Sequence, residues 1–179
     1  MSETIHNLDQ YMSDLRQILA QGRKRIGILL GAGAPVGINI SKKDGEHVPL
    51  IPAIEGLTDQ VIKSLNDSQK TIIDSVMSSV EDKNNIEYIL SKARALSSAL
   101  NGSDKKIDDF SKTDYDSLAQ AICEKIGKIV NPELPSDKTP YNRLAAWMGG
   151  TDREHAVEIF TSNYDLLMEE ALLHPAALA

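Results

Sequence analysis

The sequence predicts a helix-rich α/β fold: a Rossmann-like parallel sheet carrying a large helical insertion. Three observations lead there. Ile26, Ile28, Leu29 and Leu30 form a short apolar run bounded by basic residues and by Gly31-Ala32-Gly33, the pattern of a strand buried on both faces. A second run, Val157 to Phe160, stops at Thr161-Ser162-Asn163-Tyr164-Asp165 and passes into a helical pattern through Leu166, Leu167, Ala171 and Leu172. Between the two lies a long stretch of mainly helical periodicity, whereas a standard doubly wound fold alternates strand and helix more tightly. One domain over residues 1–179, with a helical insertion at about 55–150, reconciles these patterns.

The elements follow in order. Leu8, Tyr11, Met12, Leu15, Ile18 and Leu19 keep helical spacing, with Gly22 as a C-terminal stop. After the first strand, residues 39–52 read as a small hairpin or a loop, with Lys42-Lys43-Asp44-Gly45 as the turn and Pro49 and Pro52 as breakers. Leu57, Val61, Ile62 and Leu65 predict one helix; Ile72, Ile73, Val76 and Val80 a second; Ile86 to Leu100 a third, ended by Asn101-Gly102. Residues 101–114 are polar and read as a loop. Tyr115 to Ile129 carry a further helix. Thr139 caps another, with Pro140 at its first position and Gly149-Gly150 at its end.

Composition narrows the function. Of 179 residues, 26 are acidic and 19 basic, a net charge of −7, and no Lys/Arg stripe with interleaved aromatics suits nucleic acid. Arg23-Lys24-Arg25 reads as a solvated strand flank. No apolar stretch is long enough for a membrane span, and no signal-peptide core is seen, so a cytoplasmic protein is expected. The single cysteine, Cys123, reads as a small, partly buried helix residue; it excludes an internal disulfide and a cysteine-based zinc site.

The two strand ends carry the candidate site. Ligands of open α/β sheets bind beyond the carboxyl ends of strands, where glycines let a phosphate approach backbone N–H groups. The spacing of Gly31, Gly33 and Gly37 misses the dinucleotide fingerprint by one residue. The same residues also suit purely structural roles: a tight turn at Gly31–Gly33, a helix N-cap at Asn163, and a first-turn acid at Asp165.

A GAG turn after the first strand, followed far downstream by strand–TSNYD–helix, resembles the SIR2-like family, and within it the NAD⁺-hydrolysing domains of bacterial antiphage defence proteins. The resemblance spans about residues 25–173. It implies a domain that cleaves NAD⁺ to nicotinamide and ADP-ribose, without zinc, in a homo-oligomer or larger defence complex. Gly31, Ala32 and Gly33 match the diphosphate-cradling turn. Thr161 and Ser162 match positions on the adenosine ribose side. Asn163 matches the asparagine needed for cleavage, and Asp165 the aspartate near the nicotinamide end. Tyr164 is expected to pack against the sheet. Nicotinamide loss passes through an oxocarbenium-like ribose, so positioning and electrostatics carry the step, and an amide can hold a ribose hydroxyl or a water without titrating.

The chain departs from the family at several points. Pro35 stands where sirtuins have a serine after the glycine turn, and Pro49-Leu50-Ile51-Pro52 lacks the acid and arginine of their Pro-Asp-Phe-Arg loop. The family's catalytic histidine follows the asparagine motif by a strand and a loop, but few residues follow Asp165 here. His174, before Pro175, suits a helix C-terminus, and His6, His47 and His155 have no partner pattern. The chain is thus expected to match the first part of such a domain. The alternative expectation is a catalytically incomplete module that binds NAD⁺ or ADP-ribose, or regulates a partner.

Overall fold

The computed structural model describes residues 7–43, 46–135 and 139–173. The elements are α1 (Leu8–Ala20), β1 (Gly27–Leu30), a 3-10 turn (Pro35–Gly37), β2 (Asn39–Lys43), β3 (Glu46–Pro49), α2 (Ile54–Ser64), α3 (Asp67–Ser78), α4 (Ile86–Ala99), α5 (Lys112–Val130), α6 (Pro140–Gly150), β4 (Glu158–Thr161) and α7 (Leu167–Leu173). The fold is helix-rich α/β with a small parallel sheet. No described helix is long and apolar enough to cross a membrane. Two compact units emerge: Met1–Gly31 with Leu134–Ala179, and the continuous stretch Ala32–Glu133. The insertion expected at about 55–150 overlaps the second unit, while α6 belongs to the first.

In the first unit, β1 and β4 pair in parallel, with Gly27 opposite Glu158, Leu29 opposite Phe160 and Leu30 opposite Thr161. The two apolar runs are therefore neighbouring strands whose carboxyl ends lie on the same side, as expected. Their burial is not as expected. Ile28, Leu30 and Ile159 are half-buried, but Leu29 keeps 76% and Phe160 56% of its surface exposed. Successive side chains of a strand point to opposite faces, and only one face of this sheet is covered. A continuous apolar run does not reveal that. The packed part of the unit is the α6–α7 pair, through Tyr141, Ala145, Leu167, Met168 and Ala171.

Local chemistry sets the ends of these helices. Thr139 accepts from Asn142 N–H at 3.2 Å while the Asn142 side chain accepts from Thr139 N–H at 3.1 Å, a reciprocal cap with Pro140 at the first helical position. α1 buries none of its residues. It stops before Gly22, where a Cβ would lie 2.6 Å from the Asp152 carbonyl oxygen. Glu154 N–H donates to the Gly22 carbonyl at 3.0 Å, so this glycine is required by close approach of two backbones.

The second unit opens with the β2–β3 antiparallel hairpin, the first of the two options read for residues 39–52; its turn residues Asp44 and Gly45 lie outside the described residues. Helices α2–α5 follow around a core in which Val61, Ile73, Val76, Ile86, Ile89, Leu118 and Ile122 have no exposed surface. Reciprocal caps Asn66/Gln69 and Ser111/Asp114 open α3 and α5. The buried Thr58 hydroxyl donates to the Ile54 carbonyl at 2.7 Å and accepts from Ile86 N–H at 2.9 Å, tying α2 to the start of α4. The expected loop before α5 contains a tight turn: Ile107 and Phe110 exchange backbone hydrogen bonds, with Asp108 and Asp109 at φ of 48° and 66°. Cys123 is exposed rather than partly buried, its Sγ accepting from Arg94 at 3.2 Å, because it falls on the outer face of α5.

Candidate functional site

The parallel pairing brings the end of β4 beside the end of β1, and one side chain joins them. The Asn163 Nδ2 donates to the Gly31 carbonyl at 3.1 Å. Its Oδ1 is shielded from solvent and has no partner among the described residues. A buried amide oxygen left unpaired is costly and is normally satisfied, so this acceptor is open for a donor. Thr161 shapes the same corner: its hydroxyl accepts from Asn163 N–H at 3.0 Å. Thr161 and Ser162 are otherwise exposed.

Asp165 takes the capping role that the sequence also offered to Asn163. The residue is 7% exposed, and its carboxylate accepts from the N–H of Leu167, the first residue of α7, at 3.2 Å. Asn163 lies too far before α7 to cap it, so its amide is left to the Gly31 contact. Tyr164 is 70% exposed and does not pack against the sheet. The turn at Thr161–Asn163 has already carried the chain off the strand, so the alternation of β4 no longer governs position 164.

Gly31 is exposed at the end of β1, and a Cβ there would meet nothing within 4 Å. Ala32 and Gly33 begin the second unit; both are exposed, and a Cβ at Gly33 likewise meets nothing within 4 Å. Among the described residues only Gly102 combines glycine with positive φ. Neither backbone conformation nor packing therefore calls for glycine at 31 or 33. Open space above the backbone is the property they confer.

One residue near Asp165 was not legible in the sequence. Tyr141, in the first turn of α6, is 4% exposed, and its hydroxyl has no partner among the described residues. Burial first, then the Asp165 and Glu169 carboxylates, push its phenol up to about 12. Periodicity marked Leu144, Trp147 and Met148 as the apolar positions of this helix, and a tyrosine next to the proline gave no signal.

His6 and His174 lie outside the described residues, as does the side chain of His47. His155 precedes β4 and so sits at the opposite end of that strand from Asn163. Among the described residues there is no cluster of three or more His, Cys, Asp or Glu able to hold a metal ion. No protein-family model matches the chain, and no curated protein resembles it in sequence.

Proposed function

We propose that this protein is a SIR2-like NAD⁺-binding domain with a Rossmann-like sheet, acting in NAD⁺ cleavage to nicotinamide and ADP-ribose as part of antiphage defence. Gly31, Ala32 and Gly33 take the diphosphate, Thr161 and Ser162 the adenosine ribose side, Asn163 the nicotinamide ribose, and Asp165 the nicotinamide end. The domain works in the cytoplasm as a homo-oligomer or within a larger complex, and needs no zinc. The observation that carries this reading is Asn163: its amide is anchored on Gly31 while its Oδ1 has no partner among the described residues. An acceptor fixed in this way can hold a ribose hydroxyl or an attacking water without changing charge.

A second reading is favoured by His155, which among the described residues is the histidine with a placed side chain: it lies at the opposite end of β4 from Asn163, which suits a module that binds NAD⁺ or ADP-ribose without turning it over. Two measurements separate these readings and test both. NAD⁺ at about millimolar concentration, above the usual range of enzyme KM values, should raise the melting temperature. Gly33→Val should abolish that shift while leaving the free protein as stable, since the added side chain meets open space. Nicotinamide release, where the wild type shows it, should fall about 100-fold or more in Asn163→Ala, the scale of a lost positioning contact, with the circular-dichroism spectrum unchanged. Ligand binding with no release assigns the binding module. Absence of any NAD⁺-dependent shift overturns both readings.

A further inference from the structure

A second site, independent of the NAD⁺ reading, lies at the other end of β4. The segment Gly149–Val157, with Leu172 of α7, forms an open cavity of about 780 Å³, walled by Met148, Thr151, Arg153, His155, Val157 and Leu172 among others. That volume falls within the range of small-molecule pockets. None of the residues proposed for NAD⁺ lines it.

Arg153 is the unusual member of the wall. Its guanidinium stacks over the Trp147 ring at 4.7 Å and donates through Nη2 to the Leu19 carbonyl at 2.7 Å, at the C-terminal end of α1. Its Nε and Nη1 are shielded from solvent and have no acceptor among the described residues. Among the described residues the one ion pair is Lys112–Asp116, and none of them sets a carboxylate against Arg153. Asp152, the acidic residue of the wall, holds its side chain in solvent. A guanidinium cannot discharge itself by losing a proton. A shielded cation without a counter-charge is unfavourable, and an anion arriving beside it recovers that cost. The lysines lining the groove between α2 and α5 offer no comparable argument, because Lys63 and Lys128 are exposed and keep their charge in solvent.

We propose that this cavity binds a small organic anion, a carboxylate or a phosphate ester with an apolar body. Arg153 supplies the counter-charge, and Met148, Val157 and Leu172 receive the apolar part. An arginine held by stacking and by one carbonyl is already oriented, which limits the ordering cost of binding.

The test is an NMR titration of the full chain with three probes: inorganic phosphate, phenyl phosphate and hexanoate. At least one organic anion should shift the amides of residues 148–157 and bind more tightly than inorganic phosphate. Phenyl phosphate alone assigns a phosphate ester, and hexanoate alone a carboxylate. Arg153→Gln should weaken binding about tenfold or more, the scale of a charge-assisted contact, and Asp152→Asn should tighten it by removing the acidic neighbour. If Arg153→Gln does not fold, Leu172→Trp gives the same reading: it fills the cavity from a half-exposed position with Arg153 intact, and should block binding. Shifts that map elsewhere, no binding by either organic probe, equal affinity for all three probes, or unchanged affinity in Arg153→Gln or, where that variant does not fold, in Leu172→Trp, would each overturn the proposal.

Discussion

Ile122, in the middle of α5, has no exposed surface, whereas Leu29, in the middle of β1, keeps 76% of its own. The two residues are chemically alike, and both stand in apolar runs. The difference lies in what surrounds them. The α2–α5 unit surrounds each apolar stripe with other helices of the same unit, while the β1–β4 sheet covers one face and leaves Leu29 and Phe160 paired across strands on the other. Two buried tyrosines repeat the contrast. Tyr115 in α5 donates to the Ile107 carbonyl at 2.9 Å and meets Phe110 edge-on, whereas the Tyr141 hydroxyl of the sheet unit has no partner among the described residues. Among the described residues the helical unit leaves no buried side-chain polar atom without a partner. In the other unit the unsatisfied ones are on Tyr141 in the first turn of α6, Arg153 in the α6–β4 connection and Asn163 beyond the end of β4, and the last two stand in the sites proposed above.

The largest effect that could break this comparison is in the helical core. Ile122→Ala should destabilise the protein by about 2–5 kcal/mol, the cost of a lost buried side chain plus the cavity it leaves. Chemical denaturation followed by helix circular dichroism measures it. A cost below about 1 kcal/mol would mean that the core collapses around the gap and is packed no better than the sheet.

That contrast also marks how far the sequence can be read. Helices α2–α5 were legible because their stripes repeat at helical spacing; the caps Asn66 with Gln69 and Ser111 with Asp114 are just as local but were not read from the sequence, and residues 112–114, read as loop, form the first turn of α5. The pairing of β1 with β4 was legible from two short runs of like character. Their half-exposure was not, since an apolar run does not say whether a second layer exists. At the site, Asn163 was legible as a polar residue at a strand end, but its bond to Gly31 joins positions 132 residues apart, which no local pattern encodes. Asp165 and Asn163 both looked like caps, and only the start of α7 at Leu167 separates them. Tyr141 and Arg153 were passed over because a missing partner is a property of three-dimensional surroundings.

A smaller effect sharpens the comparison through pH. The folded phenol of Tyr141 titrates at about 12, above the ordinary value of 10. A raised folded pKa means that burial favours the neutral form. The stabilisation is complete below pH 10 and is lost as pH rises toward 12. Wild type and Tyr141→Phe should differ little at pH 8, or the variant should be the more stable, because it removes a buried hydroxyl without a partner. At pH 11 the gap should move by roughly 1–1.5 kcal/mol further in favour of the variant, one unit of uncompensated titration. A gap that stays constant from pH 8 to 11 would show that Tyr141 reaches solvent or a proton acceptor.

The smallest effect is the sharpest test of the sheet. Leu29→Thr keeps a residue suited to a strand and removes the apolar side chain from the outer face. With 76% of Leu29 exposed, the loss should fall within about 0.5 kcal/mol, as for other surface positions. Phe160 lies directly opposite in register and is exposed as well, so the substitution leaves no buried partner behind. A buried leucine would instead be worth about 1.5–3 kcal/mol, so the two cases separate cleanly in a denaturation curve. The protein concentration decides what a large value means. If the cost of Leu29→Thr grows as the protein is concentrated, a second copy covers this face, in keeping with the proposed homo-oligomer, and the stability difference follows mass action. If the cost is large at every concentration, the outer face is covered within the chain itself, and the contrast between the two units disappears.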